Sequence, residues 1–307
     1  MRLFKKTHID FLGKRYMWYA ISSVMVLVGI VSVVFKGIEY GIDFRGGTEL
    51  VIGFSSKVAV SDIRVALDKV GLGKSEIKSY GSDENNLLIR TVEQGEGTTI
   101  SDKIKLTLQQ SFPNVTFEVL KENRIGPKVG KELRLDALYA VLCSFIAVLI
   151  YIAFRFRYTY GLGAVIATVH DVFTTFGFLS ILNGLVPGVN LEISQEVIAA
   201  FLTLIGLSVN DTVVIFDRIR ENEKVHRSLS LSEVMNKSLN ETLSRTIITS
   251  GTIFLVLLIL IIFGGEVNRG FAFTMAFGIV TGTYSSIYVA SAFVLDWSIH
   301  VQKKKIS

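Results

Sequence analysis

Three ionisable residues of this sequence lie in or directly beside long apolar segments, where a charge has a high free-energy cost. Asp171 falls in the middle of one such segment, Asp211 lies near the end of a second, and Arg245 directly precedes a third. An ionisable side chain at the centre of a bilayer costs about 2.5–3.5 kcal/mol on insertion scales, so those that occur are expected to face a bundle interior or a water path. We therefore expect the chemistry of this protein at these three residues.

Proton binding is the chemistry that these residue types could perform. A carboxyl group in surroundings of low dielectric constant holds a proton more readily, whereas a guanidinium within about 4–6 Å favours the charged carboxylate. Asp211 is therefore predicted to carry a proton, with Arg245 as its movable counter-ion and the adjacent Asn210 as a further residue of the proton path. Two alternatives stay open. Asp171 is either a second relay or a structural acid bonded to neighbouring hydroxyls, and Arg245 is either the counter-ion or an anchor for its helix.

Other chemistries find no support in the sequence. His170 has no second His or Cys at metal-ligand spacing, and the lone Cys143 excludes a disulfide within this chain. The patterns G-x-x-x-x-G-K-[ST], H-E-x-x-H and G-x-S-x-G do not occur. We therefore expect no metal, no cofactor and no enzyme activity.

Apolar helices are the elements that must hold these residues. The mean hydropathy is +0.48, and half of the 307 residues are hydrophobic although 19 % are charged. The apolar residues are grouped into segments of about the 20 residues that a helix needs to cross a bilayer. One segment is at 17–35, and the region 135–296 holds five more, at 135–154, 160–182, 197–216, 246–264 and 271–295. We predict a polytopic α-helical membrane protein with six transmembrane helices.

The positions of Lys and Arg predict how the chain is threaded, because cytoplasmic flanks carry an excess of them. Sixteen lie in the N-terminal residues 1–16, at Arg155 and Arg157, in the loop 217–245 and in the basic tail 297–307. The loops at 183–196 and 265–270 contain one such basic residue, Arg269. Both termini are therefore predicted to be cytoplasmic, and the stretch 36–134 to be translocated. The net charge of +5 then reflects the excess of Lys and Arg on the cytoplasmic side of the membrane and not nucleic-acid binding.

The polar stretch 36–134 has the pattern strand, helix, strand, strand, helix, strand. Strands are predicted at 49–54, 77–80, 87–92 and 115–120, with a turn at 81–86. One helix is predicted to open at Ser61 and stop at Gly71, and a second to run from Ser101 to Pro113. This order is the ferredoxin-like βαββαβ unit. We predict a single small α+β domain outside the cytoplasm.

Glycines indicate two further features. Gly206, Gly278 and Gly282 lie in apolar segments and predict close helix packing, since Gly-x-x-x-Gly is a packing motif. The signature Asp43-Phe44-Arg45-Gly46-Gly47 lies where the first apolar segment gives way to the first strand. Its glycines permit a sharp or positive-φ connection, so it is either a hinge that couples the domain to the bundle or a plain structural turn.

Four motifs resemble the SecF branch of the SecD/SecF family, which belongs to the resistance-nodulation-division superfamily. They are G-I-D-F-R-G-G-T-E-L at 41–50, V-H-D at 169–171, G-L-S-V-N-D-T-V-V-I-F-D-R-I-R-E-N at 206–222 and E-T-L-S-R-T-I-I-T-S-G-T at 241–252. With six spans and one large first loop, the resemblance covers essentially the whole chain.

The resemblance implies a function, partners and site residues. SecF-like chains act with SecD and the SecYEG translocon, beside YajC and YidC, in the bacterial cytoplasmic membrane. They use the proton-motive force to help unfolded exported polypeptides complete translocation. The family's proton-conducting carboxylate maps onto Asp211 and its functional arginine onto Arg245. Membrane lipid is the other expected contact, and no nucleic acid is expected.

Two other functions stay open on the sequence alone. The chain could be half of a small-molecule or lipid exporter of the same superfamily, although such exporters usually have twice as many spans and a second large exported loop. It could also be a non-transporting scaffold for translocon assembly, with acids that are purely structural.

Overall fold

A computed structural model gives the structure of the chain and describes residues 7–80, 85–93, 99–185 and 191–306. The chain divides into two compact units, a helical unit and an α+β domain. The helical unit comprises Met1–Ile38, Ala140–Leu185 and Glu196–Ser307, and the α+β domain comprises Glu39–Tyr139 and Val186–Gln195.

The first membrane-spanning helix, α1, runs over Arg15–Lys36 and follows a short 3-10 turn at Leu12–Lys14. Its 22 residues rise about 33 Å at 1.5 Å per residue, which is enough to cross the hydrocarbon core. The helix ends at Gly37, whose φ of 79° is easily adopted only by a residue without a Cβ.

The α+β domain contains a four-stranded antiparallel sheet and two amphipathic helices. After one helical turn, α2 (Ile42–Arg45), its elements are β1 (Gly47–Phe54), α3 (Val60–Asp68), β2 (Glu76–Ser79), β3 (Asn86–Thr91), α4 (Thr99–Ser111) and β4 (Phe117–Ile125). The strand order is β2-β3-β1-β4. Strand β1 is central, and its Leu50 pairs with Ile89 of β3 and with Glu122 of β4. The predicted βαββαβ connectivity is confirmed.

One face of this sheet is buried beneath α3 and α4. Leu50 and Ile52 of β1 and Ile89 of β3 pack against Ile63 of α3 and Ile104 of α4, and all five side chains are fully buried. Alternate residues of a strand point to the same face, so the spacing of these apolar residues selects the face that the helices cover. The domain therefore has a hydrophobic core of its own.

The start of α3 differs from its prediction. The helix begins at Val60, and the Ser61 hydroxyl donates a hydrogen bond of 3.3 Å to the adjacent Asp62 carboxylate. Ser61 therefore does not cap the helix, and the prediction was wrong at this residue. Of the turn predicted at 81–86, residues 81–84 lie outside the described residues.

Strand β4 extends beyond the predicted 115–120 to Ile125, because its polar side chains find partners on both faces of the sheet. Lys121 donates to Glu49 of β1 at 3.1 Å, and Lys105 of α4 donates to Glu122 at 2.7 Å. The register of β1 against β4 shifts at Val51, a bulge that alters which side chains face the helices. Ion pairs, and not apolar alternation, support this half of the strand.

The rest of the chain is almost entirely helical. Its elements are α5 (Pro127–Arg155), α6 (Tyr158–Leu182), α7 (Gln195–Val225), α8 (Leu231–Phe263), α9 (Gly265–Ser285), a π-helix (Ser286–Ser291) and α10 (Ala292–Ile306). Helix α9, the π-helix and α10 follow one another without a break and form one long span. The structure thus contains six helices long and apolar enough to cross a membrane, as predicted.

The loop predicted at 217–245 consists instead of the ends of α7 and α8 joined by the connection 226–230. Arg218 of α7 donates to Glu241 of α8 at 2.6 Å, and Asn222 donates to Ser238 at 2.9 Å. Because these polar pairs link the two antiparallel helices, the helices continue well past their apolar segments.

Close contact between α1 and α6 positions the helix that carries Asp171. A Cβ at Gly177 of α6 would lie 2.3 Å from the Cα of Gly29 in α1, so both positions must be glycine for the backbones to approach this closely. Near the same end of α1, the Ser32 and Ser180 hydroxyls are hydrogen-bonded at 3.0 Å. Small and hydroxyl residues thus hold these two spans together.

Candidate functional site

Asp171 of α6 lies at a junction of three helices and is completely buried. Its Oδ2 accepts hydrogen bonds from Ser208 of α7 at 2.6 Å and from Ser285 of α9 at 2.8 Å. Its Oδ1 lies 3.0 Å from Nδ1 of His170. Both carboxylate oxygens therefore have partners, as a buried acid requires.

His170 continues this network toward α1. Its Nε2 lies 2.9 Å from the hydroxyl of Tyr284 in α9, and that hydroxyl lies 3.3 Å from Ser22 of α1. The Tyr284 ring also packs against Trp18 of α1. A hydrogen-bonded chain thus runs from Asp171 through His170 and Tyr284 to the first span. The sequence predicts no role for Tyr284 or Ser22, which are only polar residues inside apolar segments, and His170 is distinguished there only by its place in the V-H-D motif beside Asp171.

Asp211 of α7 is less completely satisfied than Asp171. Its Oδ1 accepts a hydrogen bond of 3.0 Å from Thr246 of α8. Its Oδ2 is buried, and none of the described residues donates a hydrogen bond to it. A carboxylate oxygen shielded from water without a donor is unfavourable while it is charged. A proton or a water molecule at this oxygen would therefore be stabilised.

A small cavity of about 30 Å³ lies beside Asp211, between α7, α8 and α9. Its polar lining comes from Asp211 itself and from Ser208, Asn210, Thr249, Ser250 and Thr283. This volume and this number of polar groups suit an ordered water molecule. Ser208 also donates to Asp171, so the cavity and one hydroxyl separate the two acids.

Arg245 does not form an ion pair with Asp211 within 4.0 Å among the described residues, although it is near enough for its charge to act on that carboxyl. Its side chain is exposed and lines a cleft of about 1060 Å³. The other charged and histidine residues of this cleft are His8, Asp10, Asp217, Arg218, Glu221, Glu233, Lys237 and Glu241. Arg245 thus lies in a polar, open region, one residue before the Thr246 that binds Asp211.

Two of the three predicted packing glycines lie at helix contacts. A Cβ at Gly278 of α9 would lie 2.6 Å from the Leu204 side chain of α7, and one at Gly282 would lie 3.4 Å from Asp171 Oδ2. At Gly206, no heavy atom of the described residues lies within 4 Å of the position of its Cβ, so its packing role stays a prediction. Leu204 and Ser208 form the contact face of α7, and Gly206 is exposed on another side.

A π-helix begins directly after Ser285, the residue that binds Asp171. Its first residue, Ser286, is hydrogen-bonded at 2.8 Å to Thr212, which follows Asp211. Single π-helical turns inside α-helices frequently occur at functional sites. The last span therefore contacts Asp171 through Ser285 and the neighbour of Asp211, Thr212, through Ser286, at the point where its helical geometry changes.

The signature Asp43–Gly47 belongs to the α+β domain, whereas both acids belong to the helical unit. Gly46 and Gly47 have positive φ values of 75° and 134°. A Cβ at Gly46 would lie 2.9 Å from Pro127 Cα, and one at Gly47 would lie 2.3 Å from Thr91 O. Both glycines are thus required by tight packing within the domain, which favours the structural turn; the hinge stays a prediction. Asp43 accepts a hydrogen bond from the Gln195 backbone at 3.1 Å, and Arg45 is exposed.

Comparison with protein families supports a membrane transport role. The model described as "Protein export membrane protein SecD/SecF, C-terminal" matches residues 104–300, and "SecD/SecF GG Motif" matches residues 31–58. "Protein translocase subunit SecF" of Rhodothermus marinus is 45 % identical over 296 residues, 96 % of this chain and 95 % of that protein. The same subunit of Thermodesulfovibrio yellowstonii is 42 % identical over 300 residues, 96 % of each chain.

Solved structures share the fold. The crystal structure of SecDF, a translocon-associated membrane protein from Thermus thermophilus, matches with a TM-score of 0.82 and 37 % identity over 95 % of this chain. SecDF in its Super-membrane-facing form matches with a TM-score of 0.72 and 35 % identity over 100 % of this chain. This chain spans 39 % and 41 % of the length of those two SecDF chains.

These motifs, the six spans and the matching fold together establish that the chain belongs to the SecD/SecF family of protein export membrane proteins, as a multi-pass inner-membrane transport subunit and not an enzyme.

Proposed function

We propose that this chain is the SecF-type subunit of an accessory complex of the Sec translocon, and that it uses the proton-motive force to assist late steps of protein translocation. The observation that carries the proton-driven part is Asp211 Oδ2, a buried carboxylate oxygen with no hydrogen-bond donor among the described residues. A carboxyl group of this kind gains stability when it binds a proton, since the proton removes the uncompensated charge.

Asp211, Ser208 and Asp171 form the proposed proton path. A proton on Asp211 would face the cavity of about 30 Å³ that Ser208 also lines. A water molecule there could pass the proton toward Ser208, whose hydroxyl is bonded to Asp171 Oδ2 at 2.6 Å. Asp171, with its several donors, then serves as a second relay, and Asn210 lies on the wall of the cavity.

Arg245 is the proposed movable counter-ion. Its exposed side chain lines the polar cleft of about 1060 Å³, so it has room to change position without leaving water. Moving toward Asp211, the guanidinium would favour the charged carboxylate and proton release; moving away, it would favour proton binding. Thr246 keeps Asp211 on the side of α8 that carries Arg245.

Threading and location follow from the charge asymmetry of the sequence. Sixteen Lys and Arg against one support cytoplasmic termini and an α+β domain on the opposite side of the membrane. The cleft lined by Arg245 and His8 would then open to the cytoplasm.

SecD is the proposed direct partner, and SecYEG is the translocon that the complex serves; YajC, YidC and the unfolded exported polypeptide complete the proposed assembly. The SecDF comparison supports SecD, because this chain spans only about two fifths of SecDF. Exposed apolar side chains on α5 and α8, such as Phe154 at 91 % and Phe263 at 80 %, require lipid or another membrane subunit as neighbours.

The energy available supports repeated small movements. One proton that crosses about 100 mV releases about 2.3 kcal/mol. That is enough to change the equilibrium constant of a two-state domain movement by a factor of several tens. It is small compared with the roughly 5–15 kcal/mol that unfolding a passenger domain requires. The proposed action is therefore a ratchet that is used repeatedly.

The test is proton-gradient-dependent export in inverted membrane vesicles that carry the complete complex. Asp211→Asn should abolish the stimulation of export by the gradient, since the amide cannot carry the proton. Asp217→Asn is the matched control, because Asp217 lies on the same helix but pairs with Arg155 at the surface. A wild-type response of Asp211→Asn would refute the proton-carrier role.

A further inference from the structure

The segment Leu191–Gln195 is bound to the α+β domain by backbone hydrogen bonds. Ile193 donates its N–H to Glu39 O at 2.9 Å and accepts from Gly41 N at 2.9 Å, which forms a parallel bridge between Ile193 and Tyr40. Asp43 accepts a third hydrogen bond, from Gln195 N, at 3.1 Å. We call Leu191–Gln195 the strap.

A buried ion pair fixes the same segment to the sheet. Glu192 of the strap is 6 % exposed, and its Oε2 lies 2.5 Å from Nη1 of Arg90 on β3, whose side chain is 12 % exposed. Arg90 also binds Glu49 of β1 at 2.8 Å and Glu76 of β2 at 3.5 Å. One guanidinium thus joins three elements of the domain to the strap.

Removing Glu192 would have an effect beyond the loss of one contact. A buried ion pair contributes little net stability compared with an apolar pair, but removing one partner of a buried pair is strongly unfavourable. Arg90 would keep Glu49 and Glu76, so the contact that is lost is the one to the strap. The ion pair therefore strongly favours one position of the strap on the sheet. This is what is expected of two residues that fix the position of a segment.

Chain connectivity gives the strap its importance. Gln195 is the first residue of α7, the helix that carries Asp211. The segment 39–41, to which the strap is bonded, follows the end of α1 at Lys36. The strap therefore joins the residues that lead out of the first span to those that lead into the fourth.

We propose that Arg90 and Glu192 are positioning residues that keep the strap bound to the domain, so that a movement at the start of α7 is transmitted to the α+β domain. This inference rests on the proposed function, because it assumes that α7 responds to proton binding at Asp211. The tightly packed Gly46 and Gly47 do not provide the movement in this scheme. Their tight packing instead fixes the signature Asp43–Gly47, whose Asp43 binds the strap, within the domain.

Loss and rescue test the proposal in the complete complex. Glu192→Gln should lower gradient-stimulated export about tenfold, because the amide keeps the size of the side chain but loses the charge that binds the strap to Arg90. Glu118→Gln, which changes an exposed glutamate of β4, should leave export unchanged.

The decisive variant adds Tyr40→Cys and Ile193→Cys to Glu192→Gln, in a Cys143→Ser background. Paired residues on adjacent backbone segments lie within the range of a disulfide.

Oxidation of this cysteine pair should restore export to within about twofold of the level with Glu192 intact, and reduction should remove it again. A merely destabilised domain would not be switched in this reversible way. Export by Glu192→Gln equal to that of Glu118→Gln, or a disulfide that forms but restores nothing, would overturn the proposal.

Proton flux separates this inference from the proposed function. Glu192→Gln should keep the proton flux of the wild-type complex while it loses export, since Asp211 is unchanged. If Asp211→Asn kept wild-type export while Glu192→Gln lost export reversibly, the proton path through Asp211 would be refuted. The positioning role of Arg90 and Glu192 would still be supported. If Glu192→Gln abolished proton flux as well as export, the strap would support the bundle itself and the positioning role would be refuted.

Discussion

The hydroxyl of Thr246 donates a hydrogen bond of 3.0 Å to Oδ1 of Asp211, whose other oxygen is buried without a donor among the described residues. Thr246 directly follows Arg245, so this bond holds the acid next to the backbone of its proposed counter-ion. The relationship joins α7 to α8 near the end of the apolar segment of α7 and at the start of the apolar segment of α8.

Thr246→Val should weaken the proton response, because it removes the one hydrogen-bond donor to Asp211 among the described residues and keeps the shape of the side chain. The loss of such a bond predicts a decrease of about three- to tenfold in gradient-stimulated export. Thr252→Val is the control, since Thr252 on the same helix is exposed and donates its hydroxyl hydrogen bond to the Thr249 carbonyl of that helix. Equal export by the two variants would show that Thr246 does not position the acid.

Ser208→Ala and Ser285→Ala distinguish a relay at Asp171 from a structural acid. Each removes one donor from the buried carboxylate, so each should lower the free energy of unfolding by about 1–3 kcal/mol. Only Ser208 also lines the cavity beside Asp211. Gradient-stimulated export should therefore fall with Ser208→Ala and be largely kept with Ser285→Ala. If both variants lose export in proportion to their thermal stability, Asp171 is structural.

Gly278→Val should destabilise the packing of α9 on α7, because its Cβ would lie 2.6 Å from Leu204. Overpacking of this kind costs about 1–3 kcal/mol. Gly206→Ala should be neutral or stabilising by up to about 1 kcal/mol, because it meets no described neighbour and alanine favours the helix. Thermal unfolding of the purified protein in detergent measures both changes, and equal melting temperatures would contradict the assigned contact.

Acid should weaken the α+β domain through Glu49. Burial alone would raise the pKa of Glu49, but the hydrogen bond and charge of Arg90, with Lys121, hold it below its ordinary value of 4.5. Its contribution to stability is therefore complete above pH 4.5 and is lost as the pH falls through the lower pKa of the folded state. Hydrogen exchange of β1 in the full-length protein should show protection that decreases over this acidic range.

Glu49→Gln should remove most of that pH dependence and lower stability near neutral pH by about 3 kcal/mol, because Arg90 loses a buried partner. Glu118→Gln, at an exposed position of β4, should retain the wild-type profile. An unchanged acid dependence in Glu49→Gln would assign the effect to other carboxylates.

The fold could be predicted from the sequence because it depends on local patterns. Apolar length marks six spans, and alternation with turn residues marks the βαββαβ order. The free-energy cost of a buried charge also singles out Asp171 and Asp211 without any structure. Helix ends were predicted less well. Helices α7 and α8 run through charged residues because Arg218 and Glu241 pair across them, and such a pairing is known only once the helices are placed.

The partners of the acids could not be predicted for the same reason. Ser208, Thr246 and Ser285 resemble many other hydroxyl residues in the spans, and their roles depend on how each helix is rotated. His170 gains a role through Tyr284, which is distant in sequence. Glu192 lies in a short loop without a motif, and only the folded domain brings it to Arg90.

Proton flux through the reconstituted complex tests the central claim most directly. In proteoliposomes with an imposed pH gradient and an internal pH-sensitive dye, the wild type and Asp217→Asn should conduct protons, and Asp211→Asn should fall to the level of protein-free vesicles. Proton flux by Asp211→Asn at the wild-type rate, in protein shown to be folded and assembled, would contradict the assignment of Asp211 as the proton carrier.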